Sequence, residues 1–285
     1  MRERAVRIGK PTALFGVITE PDKLDAEKPM VLIFNSGVMH HIGTCRLSVK
    51  LARSLADIGL GSIRFDFSSI GDSEARRGGL SFEESAPIEA AEVMDYLQSK
   101  RGVSQFILFG LCSGADAAYT TALVDKRVVG IAQIDAYCYR TKKYYWNYYK
   151  GKIFDPLKWF NFVKRKFGER FSPSNSDEND TEEYFEVASY VREFPPQETV
   201  AQGLQQLLDR QVAMNVIFTG GEVHYNYPNQ YRESFQGQVD FADLLALHYY
   251  QESGHIITQP HCQKNVIKEL TQWMDGVAKI KQAST

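Results

Sequence analysis

The stretch that decides the fold runs Phe106-Ile107-Leu108-Phe109-Gly110-Leu111-Cys112-Ser113-Gly114 and continues into small residues over 115–122. Its first four residues are apolar, as expected for a strand buried on both faces, and the small residues after Gly114 predict a helix. Between them lies the pattern Gly-x-Cys-x-Gly, whose glycines leave room for a sharp strand-to-helix turn, a nucleophile elbow. The pattern predicts that Cys112 is the exposed nucleophile of this turn.

Ser113 stands next to Cys112 and is the other side chain that could be the nucleophile. Only Cys112 has glycines two residues before and after it, whereas Ser113 has Leu111 and Ala115 in those places. The alternative interpretation is a glycine-flanked turn around a buried, inert cysteine, since free cysteine is among the most buried residue types. The strand before the turn and the helix after it favour the nucleophile.

Composition argues against several classes of function. The 285 residues include 33 Lys and Arg against 35 Asp and Glu, a formal net charge of -2, so no overall basic field favours nucleic acid or an acidic membrane. The N-terminus lacks a signal-peptide pattern, and no run of about 18 apolar residues is long enough to span a bilayer. We therefore expect a soluble, cytoplasmic protein.

The cysteines suggest neither a zinc site nor a disulfide framework. The four of them, at 45, 112, 138 and 262, are widely spaced and form no Cys-x-x-Cys pair. Adjacent His40 and His41 would point to opposite faces of a regular strand and cannot chelate one ion from it. We expect no metal and no cofactor.

Strands and helices alternate along most of the chain. Apolar runs predict strands near 13–19, 30–34, 62–67, 106–109, 128–134 and 212–218 and one starting at 244, and helical spacing predicts helices near 45–58, 82–98, 115–122, 200–210 and 263–277. This alternation is typical of an α/β fold, a mostly parallel sheet flanked by helices, whose reactive residues gather at the carboxyl ends of the strands.

The alternation breaks after Asp135. Residues 136–196 are rich in aromatic and basic side chains and include a polar stretch at 172–180. We predict a core formed by 1–135 and 197–285, with an inserted helical cap, or lid, at 136–196. Aromatic residues of the cap, with Tyr137, Tyr145 and Trp146 as the candidates for substrate binding, either contact a substrate or pack on the core, as such stripes more often do.

A cysteine nucleophile needs a base that raises its thiolate fraction and carries the proton. Chain order selects His255, which follows the last predicted strand and precedes the final helix. His248, inside a strand pattern, and His261, at the start of a helix, are weaker candidates.

Two carboxylates compete for the role of the acid that orients His255. Glu222 is the only carboxylate in the loop that directly follows strand 212–218, and chain order favours it. Asp135 follows strand 128–134 and reaches the same edge of the sheet. Glu222 is the preferred prediction, and Asp135 stays the alternative.

Backbone amides are the predicted oxyanion donors. One is the N–H of Ser113, directly after the nucleophile and at a helix N-terminus. The second is assigned to Val38, in the loop after strand 30–34. Near that loop, Met39, His40 and Arg46 are candidates to line the mouth of the substrate pocket, although His40 and Arg46 have the simpler alternative of capping and solvating the helix that follows.

Together these residues resemble the α/β-hydrolase superfamily. The resemblance rests on the elbow, on Asn35-Ser36-Gly37, on 64–67 leading into 71–73, and on Gly254-His255, and it covers 29–134 and 215–274. Within the superfamily, 41–43 with 46–47, 110–116 and 135–145 look similar to a group that includes hydrolases associated with exosortase and exopolysaccharide systems. Cysteine at the elbow also resembles dienelactone hydrolase-like proteins and polyhydroxyalkanoate synthases, so the resemblance implies either hydrolysis or acyl transfer.

We therefore expect an acyl ester or thioester hydrolase that forms a covalent acyl-enzyme on Cys112. The alternatives are an acyltransferase that uses the same intermediate and a non-catalytic α/β-hydrolase-like protein that binds a ligand under its cap. The expected partner is a small acyl substrate, either free or linked to a carrier or coenzyme whose phosphate would meet cations of the cap. Those cations are Lys142, Lys143, Lys164 and Arg165.

Overall fold

The computed structural model describes residues 1–9, 13–75, 79–153 and 192–283. Its sheet has eight strands in the order β1-β2-β4-β3-β5-β6-β7-β8. They are β1 (Arg2–Ile8), β2 (Leu14–Glu20), β3 (Met30–Ile33), β4 (Ser62–Phe65), β5 (Phe106–Leu111), β6 (Val128–Ile134), β7 (Ala213–Thr219) and β8 (Leu245–Tyr250). Strand β2 is antiparallel to β1 and β4, and every pair from β4 to β8 is parallel. The predicted mostly parallel sheet is confirmed.

Helices pack on both faces of this sheet. In the described ranges they are α1 (Leu47–Asp57), α2 (Phe82–Arg101), α3 (Ser113–Val124), α4 (Lys142–Ile153), α5 (Gln197–Asp209), α6 (Gln230–Ser234) and α7 (Pro260–Ala283), with 3-10 turns at Thr44–Arg46 and Ala242–Leu244. Apolar residues of α2, α3 and α5 form one buried cluster with the sheet, and those of α1 and α7 form the other.

Strand β5 shows why the sheet lies in the centre of the protein. Phe106 and Leu108 belong to the first buried cluster, whereas Ile107 and Phe109 belong to the second. Successive side chains of a strand point to opposite faces, so a strand that is covered on both faces must be apolar at every position. Burial on both sides fixes β5, and with it the position of Cys112 at its carboxyl end.

The described residues leave the predicted cap untested and move the start of one predicted helix. Residues 154–191, which include Lys164, Arg165 and the stretch 172–180, lie outside the described residues, so the cap at 136–196 and the core around it stay a prediction. The helix predicted from Cys45 begins at Leu47, because Cys45 and Arg46 have positive φ angles of 46° and 63°. No helix in the described ranges is long and apolar enough to cross a membrane.

Candidate active site

Cys112 lies at the turn between β5 and α3 and is partly exposed. Its backbone has φ 55 and ψ -120, a conformation that is costly for a residue with a side chain and is found at strained functional turns. Close backbone contacts require both flanking glycines. A Cβ atom at Gly110 would lie 2.0 Å from the carbonyl oxygen of Gly114, and one at Gly114 would lie 2.2 Å from that of Asn35.

The structure brings His255 and Asp135 together with Cys112. The Nδ1 atom of His255 donates to Oδ2 of Asp135 at 2.6 Å, and Cys112 is near enough to the imidazole to raise its pKa. Asp135 is fully buried at the end of β6. Thr219 fixes its carboxylate, because the Thr219 backbone N–H donates to Oδ1 and the Thr219 hydroxyl donates to Oδ2, each at 2.8 Å.

These contacts set the protonation state of His255. The hydrogen bond to Asp135, followed by the interaction with Cys112, outweighs burial and raises the pKa of His255 to about 10. At neutral pH His255 is therefore an imidazolium. A cation beside a cysteine sulfur favours the thiolate, which is the reactive form. The pair thus holds a nucleophile and a proton donor at the carboxyl edge of the sheet.

Glu222, the acid preferred from chain order, has other partners. Its Oε1 atom accepts from the backbone N–H and from ring Nδ1 of His224, each at 2.9 Å, and its Oε2 atom lies 3.9 Å from Nη1 of Arg192. No hydrogen bond joins Glu222 to His255 in the described part of the chain. The carboxylate that His255 contacts is therefore that of Asp135, because the side chain of Glu222 is hydrogen-bonded to His224, two residues later in the chain.

Ser113 joins the elbow to the loop after β3. Its hydroxyl accepts the backbone N–H of Gly37 at 2.8 Å, and the residue is buried. Val38, the next residue of that loop, is 92% exposed. The loop thus lies beside the nucleophile, and the amides of Ser113 and Val38 stay the predicted oxyanion donors.

Asp66, which the sequence reasoning left without a role, anchors this loop. Its Oδ1 atom accepts the backbone N–H of His41 at 2.5 Å and the side-chain amide of Asn35 at 2.9 Å. Its Oδ2 atom accepts ring Nδ1 of His41 at 2.7 Å and the backbone N–H of Asp72 at 3.1 Å. Burial alone would raise the pKa of Asp66, but these hydrogen bonds outweigh it and lower the pKa. The available signal was an acidic residue directly after strand β4, at the edge of the sheet where the carboxyl ends of the parallel strands meet.

Arg192 was also missed. It pairs with Asp116, on the first turn of α3, through two hydrogen bonds. Burial raises the pKa of Asp116 to about 6, although Arg192 lowers it. No sequence pattern pointed to either residue as part of the site.

A cavity of about 620 Å³ lies beside the elbow, within the range of small-molecule sites. Its walls are the first turns of α2, one side of α3 and the segment that leads into α5. The lining residues are Phe82, Glu83, Ala86, Ser113, Asp116, Ala117, Thr120, Tyr137, Glu193, Phe194, Pro195 and Pro196.

The residues predicted to bind substrate are spread over several places. Tyr137 is buried and lines the cavity, whereas Tyr145 and Trp146 lie on α4 with 45% and 63% of their surfaces exposed. In the loop after β3, Met39 is half-buried and His40 and Arg46 are exposed. Of the cations predicted to meet a phosphate, Lys143 pairs with Glu233 at 3.3 Å.

Within the described residues, two groups of side chains have ligand atoms of the kind that bind a metal ion. They are His41, Asp66 and Asp72, and Asp135, Glu222 and His255, with ligand atoms within 4.8 Å of one another. In both groups the buried aspartate already accepts hydrogen bonds on each of its oxygens. A metal ion would have to displace these N–H and O–H groups from the aspartate oxygens. The two groups of side chains are therefore better suited to hydrogen bonding than to binding a metal ion.

Comparisons with known proteins agree with this fold. No protein-family model and no curated protein matches the sequence. The α/β hydrolase GrgF from Penicillium sp. sh18 is 11% identical with a TM-score of 0.61, over 98% of this chain and 100% of that one. DcsB, in complex with its substrate analogue, is 16% identical with a TM-score of 0.57, over 97% and 99%. The esterase domain of a Rhodothermus marinus protein is 12% identical with a TM-score of 0.57, over 96% and 98%.

Identities this low identify the fold and nothing finer. The strand order, the covered parallel strands and these neighbours agree, and the chain has the α/β-hydrolase fold. What the chain does has to be argued from its own site, because one fold carries many activities.

Proposed function

We propose that the protein is an acyl ester or thioester hydrolase whose catalytic triad is Cys112, His255 and Asp135. One observation carries the proposal. His255 is hydrogen-bonded to the buried carboxylate of Asp135, and its pKa is raised by Cys112, which lies at a strained strand-to-helix turn. A nucleophile, a base and a third group that orients the base form the arrangement of covalent acyl catalysis.

Acylation uses the charges that the pair already carries. The Cys112 thiolate attacks the carbonyl carbon and forms a C–S bond, while the carbonyl electron pair moves onto oxygen. The N–H groups of Ser113 and Val38 are the proposed donors to this oxyanion. The intermediate then collapses, the bond to the leaving alcohol or thiol breaks, and the His255 imidazolium gives its proton to that group.

Deacylation returns the site to its starting state. Neutral His255 takes a proton from water, and the water oxygen attacks the acyl carbon. The C–S bond breaks, the carboxylic acid leaves, and Cys112 is again a thiolate beside an imidazolium. Asp135 holds His255 in the orientation that both steps need.

The cavity supports an acyl group of moderate size. Phe82, Ala86, Ala117 and Phe194 give it apolar walls, and Ser113 connects it to the elbow. We propose that the acyl chain occupies this space. The resemblance to exosortase-associated hydrolases and the carrier-linked substrate stay proposals that go with this one.

A panel of p-nitrophenyl esters and coenzyme A thioesters with short, medium and long acyl chains tests the proposal. We expect turnover that Cys112→Ala and His255→Ala abolish and that Cys45→Ala, a matched change of an exposed cysteine, leaves in place. Equal turnover by Cys112→Ala would contradict the proposal. Faster loss of substrate with added alcohols or amines, together with an acylated acceptor, would instead show acyl transfer.

A further inference from the structure

Arg192 connects three parts of the site that are distant in sequence. Its Nε and Nη2 atoms donate to Oδ2 and Oδ1 of Asp116 at 2.7 and 2.5 Å. Its Nη1 atom donates to the backbone carbonyl of Asp135 at 2.9 Å and lies 3.9 Å from Oε2 of Glu222. One guanidinium therefore contacts the nucleophile helix α3, the end of β6 and the loop after β7.

The surroundings hold this guanidinium in a single position. It lies 5.1 Å from the ring centre of Tyr137 and 4.8 Å from that of Phe194, within range of cation–π attraction. The side chain of Arg192 is 12% exposed. A planar guanidinium can donate two hydrogen bonds to one carboxylate and also pack against aromatic rings, which the ammonium group of lysine cannot do.

Arg192 is also a buried positive charge among acidic groups. Desolvation would lower its pKa, but pairing with Asp116, and then the charges of Cys112 and Glu222, raise the pKa above its usual range. Arg192 is therefore near enough to interact with Cys112 as well as with Asp116 and Glu222, while His255 interacts with Cys112 and Asp135. Without Arg192, the carboxylates of Asp116 and Glu222 would lose the cation that both of them interact with.

We propose that Arg192 is a positioning residue for the nucleophile, which fixes α3 against the end of β6 and stabilises the Cys112 thiolate by its charge. This inference rests on the proposed function of Cys112. The backbone of Asp135 has a positive φ of 54°, and the bond from Arg192 to its carbonyl holds the segment that aims its carboxylate at His255. Arg192 thus acts through Cys112 and Asp135 and needs no contact with substrate.

The test measures how fast iodoacetamide alkylates Cys112 as a function of pH, with the modified peptide quantified by mass spectrometry. All proteins carry Cys45→Ser, so that the exposed second thiol does not consume the reagent. Removing one nearby cation should move the alkylation profile of Arg192→Gln toward higher pH by about one pH unit, which lowers the rate by up to about tenfold on the rising limb, and Arg192→Lys should recover part of the rate. The hydrolytic kcat should fall more than KM rises.

Two further variants separate charge from structure. Asp116→Asn removes a negative charge while Arg192 stays, so it should keep or increase the alkylation rate at pH 7, opposite in sign to Arg192→Gln. Arg210→Gln is the matched control, because Arg210 donates to the carbonyls of Ala122 and Asp125 at the other end of α3. Its alkylation profile should equal that of the parent.

Three results would overturn the inference. In the first, Cys112 is alkylated in folded Arg192→Gln and Arg192→Lys as fast as in the parent. In the second, Asp116→Asn slows alkylation as much as Arg192→Gln does, which would make the role of Arg192 purely structural. Either outcome leaves the proposed function in place if the parent still acylates at Cys112. A parent that forms no acyl-Cys112 would overturn the proposed function and, with it, this inference.

Discussion

Replacing Asp135 with asparagine would reverse one hydrogen bond at the centre of the site. In the native protein Oδ1 accepts the Thr219 backbone N–H, and Oδ2 accepts the His255 Nδ1–H and the Thr219 hydroxyl. A backbone N–H can only donate, so it would hold the oxygen of the new amide at the Oδ1 position. The amide NH2 would then face Nδ1 of His255, which would have to accept.

Two effects combine in this variant. Loss of the carboxylate removes a charge-assisted hydrogen bond worth about 1.5–3 kcal/mol. An accepting Nδ1 also puts the proton of neutral His255 on its other nitrogen, so the ring cannot take a proton from the thiol; the same exchange in a serine triad lowers kcat by about 10⁴. We expect acylation to slow by about 10³–10⁴-fold, which corresponds to about 4–5.5 kcal/mol.

Stopped-flow measurement of the acylation burst with an activated ester checks this value. Glu222→Gln is the competing variant and should slow acylation by less than about tenfold, because Glu222 bonds to His224 and acts on His255 only at a distance. Asp275→Asn, whose carboxylate pairs with Lys279 on α7, is the matched control. A loss in Glu222→Gln as large as in Asp135→Asn, or a loss below about tenfold in Asp135→Asn, would refute the assignment.

Three other predictions concern protonation and the loops around the elbow. Raising the pH through about 10 removes the proton that His255 gives to the leaving group, so kcat/KM for esters with poor leaving groups should fall there, which a pH–rate profile measures. Gly114→Ala places a Cβ 2.2 Å from the Asn35 carbonyl oxygen and should lower the free energy of unfolding by about 2–4 kcal/mol in urea titrations. Asp66→Asn should lower it by about 2–3 kcal/mol and reduce kcat more than it changes KM, because the loop after β3 loses its charged anchor.

Each of these has a clear opposite result. A descending limb near the ordinary histidine value of about 6.5 would contradict the imidazolium assignment. If Gly114→Ala had the same free energy of unfolding as the unsubstituted protein, the close approach of the Asn35 carbonyl to residue 114 would not be required for stability. An Asp66→Asn protein with unchanged kcat would show that the anchored loop does not support the reaction.

Local pattern was enough to predict most of the sheet. Strands β5 and β6 read as continuous apolar runs because both of their faces are covered. Strand β1 was missed for the converse reason. Among the described strands it pairs only with β2, at the edge of the sheet, so most of its side chains are exposed, and its charged sequence carries no signal of burial.

The choice of acid shows where sequence reasoning ends. Asp135 and Glu222 follow neighbouring parallel strands, so both reach the same edge of the sheet, and chain order cannot separate them. Side-chain contacts decide it, through Thr219 at Asp135 and His224 at Glu222. Arg192 lies 76 residues from Asp116, and no local pattern predicts such a pairing.

Intact-protein mass spectrometry after brief incubation with activated acyl esters and thioesters shows whether Cys112 forms an acyl-enzyme. We expect a mass increase of one acyl group, mapped by digestion to Cys112, absent from Cys112→Ala and retained in Cys45→Ala. Folded protein that gains no acyl group across the panel, or that carries it on Ser113 or Cys45 instead, would contradict the proposed role of Cys112.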